Sequence, residues 1–359
     1  MSKIAFVADV HCANHARWGG SAQSGINRRC RLILDALLAA TDAARKAGCE
    51  AFVVLGDLFD TMRPEPQVIA AVRDALLNFN GPVFLLVGNH DQASTSLGDH
   101  ALGPLAVEGI TVVENPMPYR VGDVLLSLVP FRPGDAREWL RAAVPPVPFP
   151  SKHRVLGIHL GVIDEKTPPW LFGALDAIPL MELARAATDY DVVVAGNWHA
   201  RKEWKISEGQ HVMQVGTLAP TGFDNPGPEG YGTLAIYDSE RGLSWQEIPG
   251  PRFVARDEVA KVAPGCTVFA RVRAAPDDMP SAMAWLTEAK ESGGVTDGEV
   301  QADKGESEAA ARSAASAAGT ASTLDEAVTR FVNAMELPMV DGHRDAVLER
   351  VRGYLKEAM

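Results

Sequence analysis

Cysteine is scarce in this sequence of 359 residues, which contains only four. They are widely separated and form no CxxC pair: Cys12, Cys30, Cys49 and Cys266. A disulfide framework needs a dense, even set of cysteines, and a zinc ribbon needs paired CxxC motifs. The sequence therefore predicts neither kind of stabilising element.

Long apolar runs are also missing. A membrane-spanning helix needs about 20 consecutive apolar residues, and no segment approaches that length. The first segment, MSKIAFVADVH, is apolar for only a few residues before Asp9 interrupts it, which is too short for a signal peptide. We therefore expect a cytoplasmic protein with no membrane segment.

Positive charge is in deficit, with 34 Lys and Arg residues against 46 Asp and Glu and a formal net charge of −12. Such a chain does not coat nucleic acid through bulk charge. It leaves room for a local basic groove and for bound cations that offset clustered carboxylates. With a hydrophobic fraction of 47%, the chain can form one large domain plus a smaller one, or two of medium size.

Residues 1–250 alternate short apolar runs with helical patterns. Five β-branched runs predict strands that are buried on both faces: Ile4–Ala8, Ala51–Leu55, Val83–Val87, Val155–Ile158 and Val192–Ala195. Between them, Asn27–Lys46 and Gln67–Phe79 carry apolar residues at helical spacing. The alternation predicts an α/β layered domain.

The C-terminal part has a different composition. Residues 251–292 contain a predicted strand, CTVFARVRA, and a predicted helix, MPSAMAWLTEA, which suggest a small cap-like region. Residues 293–322 have no aromatic residue and no Leu, Ile or Met, which predicts a flexible linker. Residues 323–359 carry two amphipathic helical patterns separated by Pro338, which fit either docking on the parent domain or capture of a partner.

Polar side chains follow each of the five predicted strands. The motifs ADVH, GDLFD, GNHD, GIHLG and AGNWHAR supply these candidates: Asp9, His11, Asp57, Asn89, His90, Asp91, His159, Asn197 and His199. Ligands of open α/β sheets bind at the carboxyl ends of the strands, so we expect these side chains to meet. On an extended chain, the spacing of Asp9 and His11 puts both on one face.

The chemistry of this set favours metal ions. Imidazole nitrogen with carboxylate and amide oxygen, and no thiolate, suits manganese, iron, zinc or magnesium rather than a structural zinc site. One carboxylate can bridge two ions about 3.5–4 Å apart, and such a pair activates a water for attack on phosphorus. The five motifs in order predict a two-metal phosphoesterase.

The same motifs carry a family resemblance. The order DxH, GDxxD, GNHD, a later His and a final loop with a His resembles the calcineurin-like metallophosphoesterase superfamily. GDLFDTMRPEP and QVGTLAPTGFDNPGPEGYGTLAIYD look like the corresponding stretches of the SbcD DNA-repair nuclease subunit. The resemblance covers roughly residues 3–250. It implies an α/β fold, a four-layered αββα sandwich with its metals at the strand ends, here with a small C-terminal extension.

The resemblance also implies roles for the candidates. Two divalent ions, Mn²⁺ ahead of Mg²⁺, would be held by two ligand sets that share Asp57: Asp9, His11, Asp57 and His199 for the first, and Asp57, Asn89, His159 and Asn197 for the second. His90 would face the scissile phosphate, and Asp91 would fix the tautomer of His90. The family has a second His where this chain has Asn197, so a weakened or water-completed second site stays open.

Substrate and partners follow from the same resemblance. It implies DNA as substrate, an SbcC-like SMC-family ATPase bound through the C-terminal helices, and a homodimer. Residues that could contact DNA are Arg17, Arg63, Trp198 and Arg201, and other basic candidates are Arg28, Arg29, Arg132 and Lys202. Two alternatives stay open: a phosphoesterase acting on nucleotides or phosphoproteins, and a catalytically weakened adaptor subunit.

Overall fold

The structure, a computed structural model, describes residues 2–302 except for 95, 97, 146, 148, 149, 169, 170, 228 and 229. The helices are α1 (Arg28–Lys46), α2 (Pro66–Leu77), α3 (Ala136–Ala143), α4 (Leu180–Ala186) and α5 (Met279–Glu291). The strands of the first half are β1 (Lys3–Val7), β2 (Ala51–Val54), β3 (Val83–Leu86), β4 (Ile110–Val113), β5 (Met117–Val121), β6 (Val124–Val129), β7 (His153–His159), β8 (Gly161–Ile163) and β9 (Ala177–Pro179). The later strands are β10 (Val192–Gly196), β11 (Lys202–Ser207), β12 (Gln210–Gln214), β13 (Tyr231–Asp238), β14 (Gly242–Pro249), β15 (Arg252–Ala255), β16 (Val268–Ala274) and β17 (Asp297–Ala302). The five predicted strands and both predicted helices of residues 1–250 are confirmed.

Two six-stranded sheets form the body of the fold. In the first, with order β14-β13-β1-β2-β3-β4, strands β1 to β4 are parallel and β13 and β14 are antiparallel additions. In the second, with order β11-β12-β10-β7-β6-β5, strands β12, β10, β7 and β6 are parallel. The parallel strands therefore bring several carboxyl ends to one edge of each sheet.

Alternating side chains of the strands divide the core into layers. Phe52 of β2 packs with Leu37 of α1 on the outer face of the first sheet. Phe6 of β1 points the other way and packs with Leu126 of β6 between the sheets. On the outer face of the second sheet, Val193 of β10 packs with residues of α3 and α4. The fold is thus the expected helix–sheet–sheet–helix sandwich.

The start of α1 follows from local chemistry. The side chain of Asn27 accepts a hydrogen bond from the backbone N–H of Cys30 at 2.9 Å, which caps the helix. Among the described helices we find no candidate for a membrane-spanning segment, since each is too short or too polar.

The predicted boundary at residue 250 is not a structural one. The chain divides into two compact units, and the first contains Met1–Asp164, Leu175–Arg271 and Leu286–Glu299. The rings of Phe253 and Phe269 stack at 4.9 Å, and Trp18 packs on both. Strands β15 and β16 therefore share an aromatic cluster with the N-terminal part of the chain.

The predicted linker begins too early in the sequence. Residues Asp297–Ala302 form β17, the third strand of the sheet β15-β16-β17. Its acidic side chains are held by ion pairs, Asp297 with Arg28 and Glu299 with Arg271. Composition could not reveal this strand, because polar pairing rather than apolar burial fixes it. The rest of the predicted linker and the helical pair at residues 323–359 lie outside the described residues.

Candidate metal centre

The loops after β1 and β2 place the first candidates. The backbone N–H of His11 donates to the carbonyl oxygen of Asp57 at 3.0 Å, so pairing between the two loops continues past the strands. Asp9 and His11 both have left-handed backbone, with φ of 50° and 48°. The two therefore do not lie on an extended strand as the spacing suggested, because β1 ends at Val7. Strained backbone of this kind is concentrated at functional sites.

Glycines in the motifs allow close approach between the loops. A Cβ on Gly56 would lie 2.2 Å from Nδ1 of His159, and a Cβ on Gly88 would lie 2.1 Å from Oδ1 of Asp57. Both distances are far shorter than van der Waals contact, so neither position can hold a side chain. The Gly-Asp and Gly-Asn pairs of the motifs are thus required for the ligands of neighbouring strands to meet.

The ligand candidates form one cluster. Nε2 of His11 lies 3.1 Å from Nε2 of His199, and Nε2 of His159 lies 3.4 Å from Oδ2 of Asp57. Three groups of ligand atoms each lie within 4.8 Å of one another: Asp9, His11 and His199; His11, Asp57 and His90; and Asp9, Asp57 and His159. Asn89 joins them through Oδ1, which lies 2.9 Å from Nε2 of His159.

The surroundings of His159 test whether a cation fits. Its Nδ1 lies 2.5 Å from the carbonyl oxygen of Leu55, so the ring proton sits on Nδ1 in the neutral ring and Nε2 carries the lone pair. That lone pair faces the oxygen atoms of Asn89 and Asp57, which are also electron-pair donors. With the ring neutral, three electron-pair donors converge without a proton between them, which fits a bound cation, and their nitrogen–oxygen chemistry suits manganese or magnesium as well as zinc.

The shifted pKa values of the buried carboxylates and of His159 also indicate that this cluster favours a bound positive charge. Burial raises the pKa of Asp9 to about 7, with the nearby Asp57 adding to the effect. Burial opposes ionisation of Asp57 too, but the adjacent His159 holds its pKa below the ordinary value. Against the effect of burial, Asp57 raises the pKa of His159 to about 9. Without a metal, a proton on His159 balances the buried carboxylate.

The pKa of His199 is shifted in the opposite direction to that of His159. Burial and the neighbouring His11 lower its pKa to about 4. The imidazole is therefore neutral near pH 7 and offers a lone pair, as a metal ligand requires.

Asn197 holds Asp9 through its backbone. Its N–H lies 3.1 Å from both carboxylate oxygens of Asp9, and its φ is 92°. Its side-chain Nδ2 donates to the backbone oxygen of Asp176 at 2.9 Å and to Oδ2 of the same residue at 3.1 Å. These two acceptors orient the amide with its oxygen away from Asp176. Ligation by that oxygen stays a prediction.

His90 lies beside the cluster and remains accessible, with 46% of its side chain exposed. Its ring meets that of His11 edge-on at 4.8 Å, and its backbone N–H donates to Oδ1 of Asp57 at 2.9 Å. Nδ1 of His90 lies 3.7 Å from Oδ1 of Asp60. The carboxylate that faces His90 therefore belongs to Asp60.

The role expected for Asp91 is therefore corrected. Its carboxylate accepts backbone N–H groups from Gly88 at 2.9 Å and Phe59 at 3.0 Å, and lies 3.4 Å from that of Leu58. These bonds tie the GDLFD loop to the GNHD loop, and they leave the carboxylate turned to backbone rather than to the ring of His90. Burial raises the pKa of Asp91 to about 6.

Sequence reasoning missed two members of the site. Asp60, the second acid of GDLFD, lies 3.1 Å from Nδ1 of His11 and 3.6 Å from Nδ1 of His15. His15 also meets the backbone oxygen of His11 through Nε2 at 2.9 Å. The signal for Asp60 was its place in the motif, three residues after Asp57. His15 has no motif and is brought in by the folding of the loop.

A cavity of about 250 Å³ opens beside the cluster. Its lining comprises Val10, His11, His15, Arg29, Ile33, Asp60, His90, His199, Ala219, Pro220 and Thr221. The metal-ligand candidates form one wall, and the first turns of α1 form another.

None of the four residues expected to contact DNA lines this cavity. Arg17 is ion-paired with Glu299, and Arg63 is exposed. The ring of Trp198 packs on Gly161, since a Cβ there would lie 2.4 Å from it. Arg201 lies 3.3 Å above the ring of Trp245. Packing and ion pairing account for three of them, and the arginine that lines the cavity is Arg29.

Three solved structures match this chain at low sequence identity. The protein TT1561 of Thermus thermophilus is 14% identical, with a TM-score of 0.43, and the match covers 69% of this chain and 99% of that one. A dimetal phosphatase from Danio rerio is 13% identical, with a TM-score of 0.45 and the same coverage. A putative 5′-nucleotidase from Staphylococcus aureus is 17% identical, with a TM-score of 0.44, covering 79% of this chain and 59% of that one.

Curated proteins yield no match to this sequence. The model of the calcineurin-like phosphoesterase family, in contrast, matches residues 2–201, which include every predicted metal ligand. More than half of the chain is matched, and the match agrees with both the sandwich fold and the donor cluster at its edge. The chain belongs to the calcineurin-like phosphoesterase family.

Proposed function

We propose that this protein is a metal-dependent nuclease that hydrolyses phosphodiester bonds of DNA, with Mn²⁺ as its preferred ion. One observation carries the proposal: the half-exposed His90 lies beside a buried cluster of nitrogen and oxygen ligands, on the wall of a cavity. The ligands would be Asp9, His11, Asp57, Asn89, His159 and His199. Two bound ions supply the charge that clamps a phosphate oxygen and activates a water.

The side chain of His90 would deliver the proton that the leaving oxygen needs. Its Nδ1 faces Asp60, which leaves Nε2 as the nitrogen free to meet substrate. A carboxylate at this position orients the ring. The accessibility of His90, in contrast to the buried His159, fits a residue that touches substrate rather than metal alone.

DNA is proposed because the GDLFDTMRPEP and QVGTLAPTGFDNPGPEGYGTLAIYD segments resemble those of the SbcD nuclease subunit. A nucleotide phosphatase is the second candidate, and the small size of the cavity is compatible with it. At about 250 Å³, the cavity is smaller than the roughly 300–1,000 Å³ of typical ligand pockets. It would accept a phosphate and part of a nucleotide equally well from a monoester or from a strand.

A substrate panel decides between the two. The full chain loaded with Mn²⁺ or Mg²⁺ is assayed on linear double-stranded and single-stranded DNA, on bis(p-nitrophenyl) phosphate and on nucleoside monophosphates. We expect cleavage of DNA and of the bis-ester, with slow release of phosphate from the monophosphates. Rapid hydrolysis of the monophosphates with intact DNA would establish the phosphatase instead. Asp57→Asn, prepared identically, controls for contaminating nucleases.

We further propose that residues 323–359, which lie outside the described residues, bind an SbcC-like ATPase. The two helical stripes support this, because a phosphatase has no evident use for them. Deletion of residues 323–359 should leave hydrolysis of the bis-ester unchanged and abolish co-purification with the cognate ATPase. Retention of the complex at full stoichiometry would place the interface elsewhere.

A further inference from the structure

Arg29 is a buried cation with no acidic partner in the described part of the chain. Only 3% of its surface is exposed. One guanidinium nitrogen, Nη2, donates to the backbone oxygen of Thr221 at 2.9 Å. Its Nε and Nη1 atoms have no hydrogen-bond partner among the described residues. Buried donors are nearly always paired in folded proteins, so these two need an explanation.

Two aromatic rings provide only part of the interactions that the guanidinium group of Arg29 needs. The guanidinium carbon lies 5.1 Å from the ring centre of Phe253 and 5.6 Å from that of Phe269. Such contacts favour the charged group through its face, but they leave the in-plane N–H groups unpaired. Burial lowers the pKa of Arg29 only to about 10, so it stays charged at neutral pH.

The location of Arg29 suggests the missing partner. Arg29 lines the same cavity as His11, His90 and His199, on the wall formed by α1. The volume of about 250 Å³ is many times the roughly 10–15 Å³ of such space that one water molecule needs. This is more space than one phosphate group held at the ligand cluster would fill.

An unpaired buried charge lowers stability, and apolar side chains of similar volume often replace buried charges without loss. A cation kept at such a cost beside a phosphoesterase centre calls for an anionic ligand. We propose that Arg29 binds a second, non-scissile phosphate group of the substrate. The inference rests on the proposed function, because it requires a substrate with at least two phosphates, as in a nucleic acid strand.

The neighbouring Arg28 provides a matched control. Its guanidinium is ion-paired with Asp297 at 2.6 Å, and it donates to the backbone oxygen of Trp18 at 2.8 Å. It does not line the described cavity. Arg28→Met and Arg29→Met therefore remove the same charge from adjacent positions, one inside the cavity and one outside it.

The test compares dinucleotides that contain one internal phosphodiester with the same dinucleotides carrying an added 5′- or 3′-terminal phosphate. For the parent, one added phosphate should lower KM at least about tenfold, the effect of one or two charge-assisted hydrogen bonds. Arg29→Met should abolish the difference in KM between the dinucleotides with and without the added phosphate. Arg28→Met should keep it, and Arg29→Lys should keep part of it.

Thermal unfolding separates binding from a structural role. Arg29→Met should melt at the same temperature as the parent or higher, because it removes an unpaired buried charge. A lower melting temperature with an intact preference for the second phosphate would overturn the inference. So would an equal loss on substrates with one and with two phosphates.

Failure of the nuclease proposal can be told apart from failure of this one. If neither DNA nor a dinucleotide is cleaved, the nuclease proposal fails, and pyrophosphate then serves as the probe. Its inhibition constant against hydrolysis of the bis-ester should rise at least about tenfold in Arg29→Met and stay unchanged in Arg28→Met. An unchanged constant in both variants would show that Arg29 binds no phosphate.

Discussion

Nε2 of His11 and Nε2 of His199 face each other at 3.1 Å, although they follow strands of different sheets. Two imidazole nitrogens at this distance share either a proton or a cation. The pKa of His199 is lowered to about 4 and that of His11 is raised against burial by the carboxylates around it. The pair is thus arranged to donate to one positive charge.

Asp57 belongs to two of the three groups of candidate ligand atoms, so its loss should affect both ions. Its Oδ2 lies 3.4 Å from Nε2 of His159 and 4.0 Å from Nε2 of His11. Asp57→Asn keeps the shape but removes the charge, and we expect Mn²⁺ affinity to fall by at least about 100-fold at both sites. Bound metal per chain is measured by mass spectrometry after gel filtration. Asp42→Asn, a carboxylate on the outer side of α1 paired with Lys46, is the control and should bind as the parent does.

His90→Asn should separate catalysis from metal binding. The side chain is the half-exposed member of the cluster, so we expect metal content to be retained and kcat to fall by about 10²–10⁴-fold, the usual range for an acid–base group. Steady-state kinetics on the bis-ester, with metal content measured on the same sample, provide the check. Loss of one ion would instead make His90 a ligand, a role its distance to His11 and Asp57 also allows.

Asp91→Asn should act on stability. The substitution places an NH₂ group against backbone donors of Phe59 and Gly88, so one hydrogen bond is lost and a donor is left unsatisfied. We expect the free energy of unfolding to fall by about 1–3 kcal/mol. Urea denaturation of the metal-free protein measures this. An unchanged unfolding curve with a reduced kcat would instead support an influence on the ring of His90.

Asn197 tests the residue at which this chain departs from its family. If its amide oxygen ligates the second ion, Asn197→Ala should weaken that site. Asn197→His should tighten it and shift its preference from manganese towards zinc, because imidazole is the better zinc ligand. Calorimetric titration of the three proteins with Mn²⁺ and Zn²⁺ decides this. If neither substitution changes the metal affinity, Asn197 is not a ligand. Its role is then limited to the backbone bond to Asp9 and the side-chain bonds to Asp176.

Metal binding should strengthen as the pH rises. In the metal-free protein the pKa of Asp9 is about 7 against an ordinary 3.8, and that of His159 is about 9 against 6.5. Both groups therefore keep a proton in the folded chain at a pH where the unfolded chain has lost it. Their contributions to stability are lost as the pH rises, through about 7 for Asp9 and about 9 for His159.

A metal ion displaces those protons, so its binding competes less with protons at higher pH. We expect a fixed Mn²⁺ concentration to raise the melting temperature more at pH 8.5 than at pH 6. The difference should correspond to the release of roughly one proton from each site on metal binding. Thermal unfolding with and without Mn²⁺ at the two pH values measures it. A shift independent of pH would mean that neither Asp9 nor His159 gives up a proton to the metal.

The sequence was informative where apolar burial or motif chemistry determines the structure. The strands of the sandwich core and the meeting of donor side chains after them could be predicted, because buried parallel strands are apolar throughout and donors follow them. Metal binding by the seven ligand candidates stays a prediction. Strand β17 could not, since Asp297 and Glu299 are fixed by ion pairs to distant arginines.

The direction in which a side chain points was harder to predict than the place of its residue in a motif. Asp91 follows His90 directly, yet its carboxylate turns to the backbone of the neighbouring loop, and Asp60 faces the ring instead. Arg29 was one basic residue among several, and only burial distinguishes it from Arg28. Adjacent residues of one motif can point to different partners, and spacing along the chain does not reveal which.

The candidate ligands of this centre come from both sheets: Asp9, Asp57 and Asn89 follow strands of the first, and His159 and His199 come from the second. The apolar layer between the sheets ends at this edge, with Leu55 beneath His159. Separation of the two sheets here would pull the donors of one ion apart, and it would expose two buried carboxylates to water. If these side chains hold the ions, we expect release of the ions to accompany opening of the sandwich at this edge. Amide exchange at the ends of β1, β2, β7 and β10 would report how firmly the metals are held.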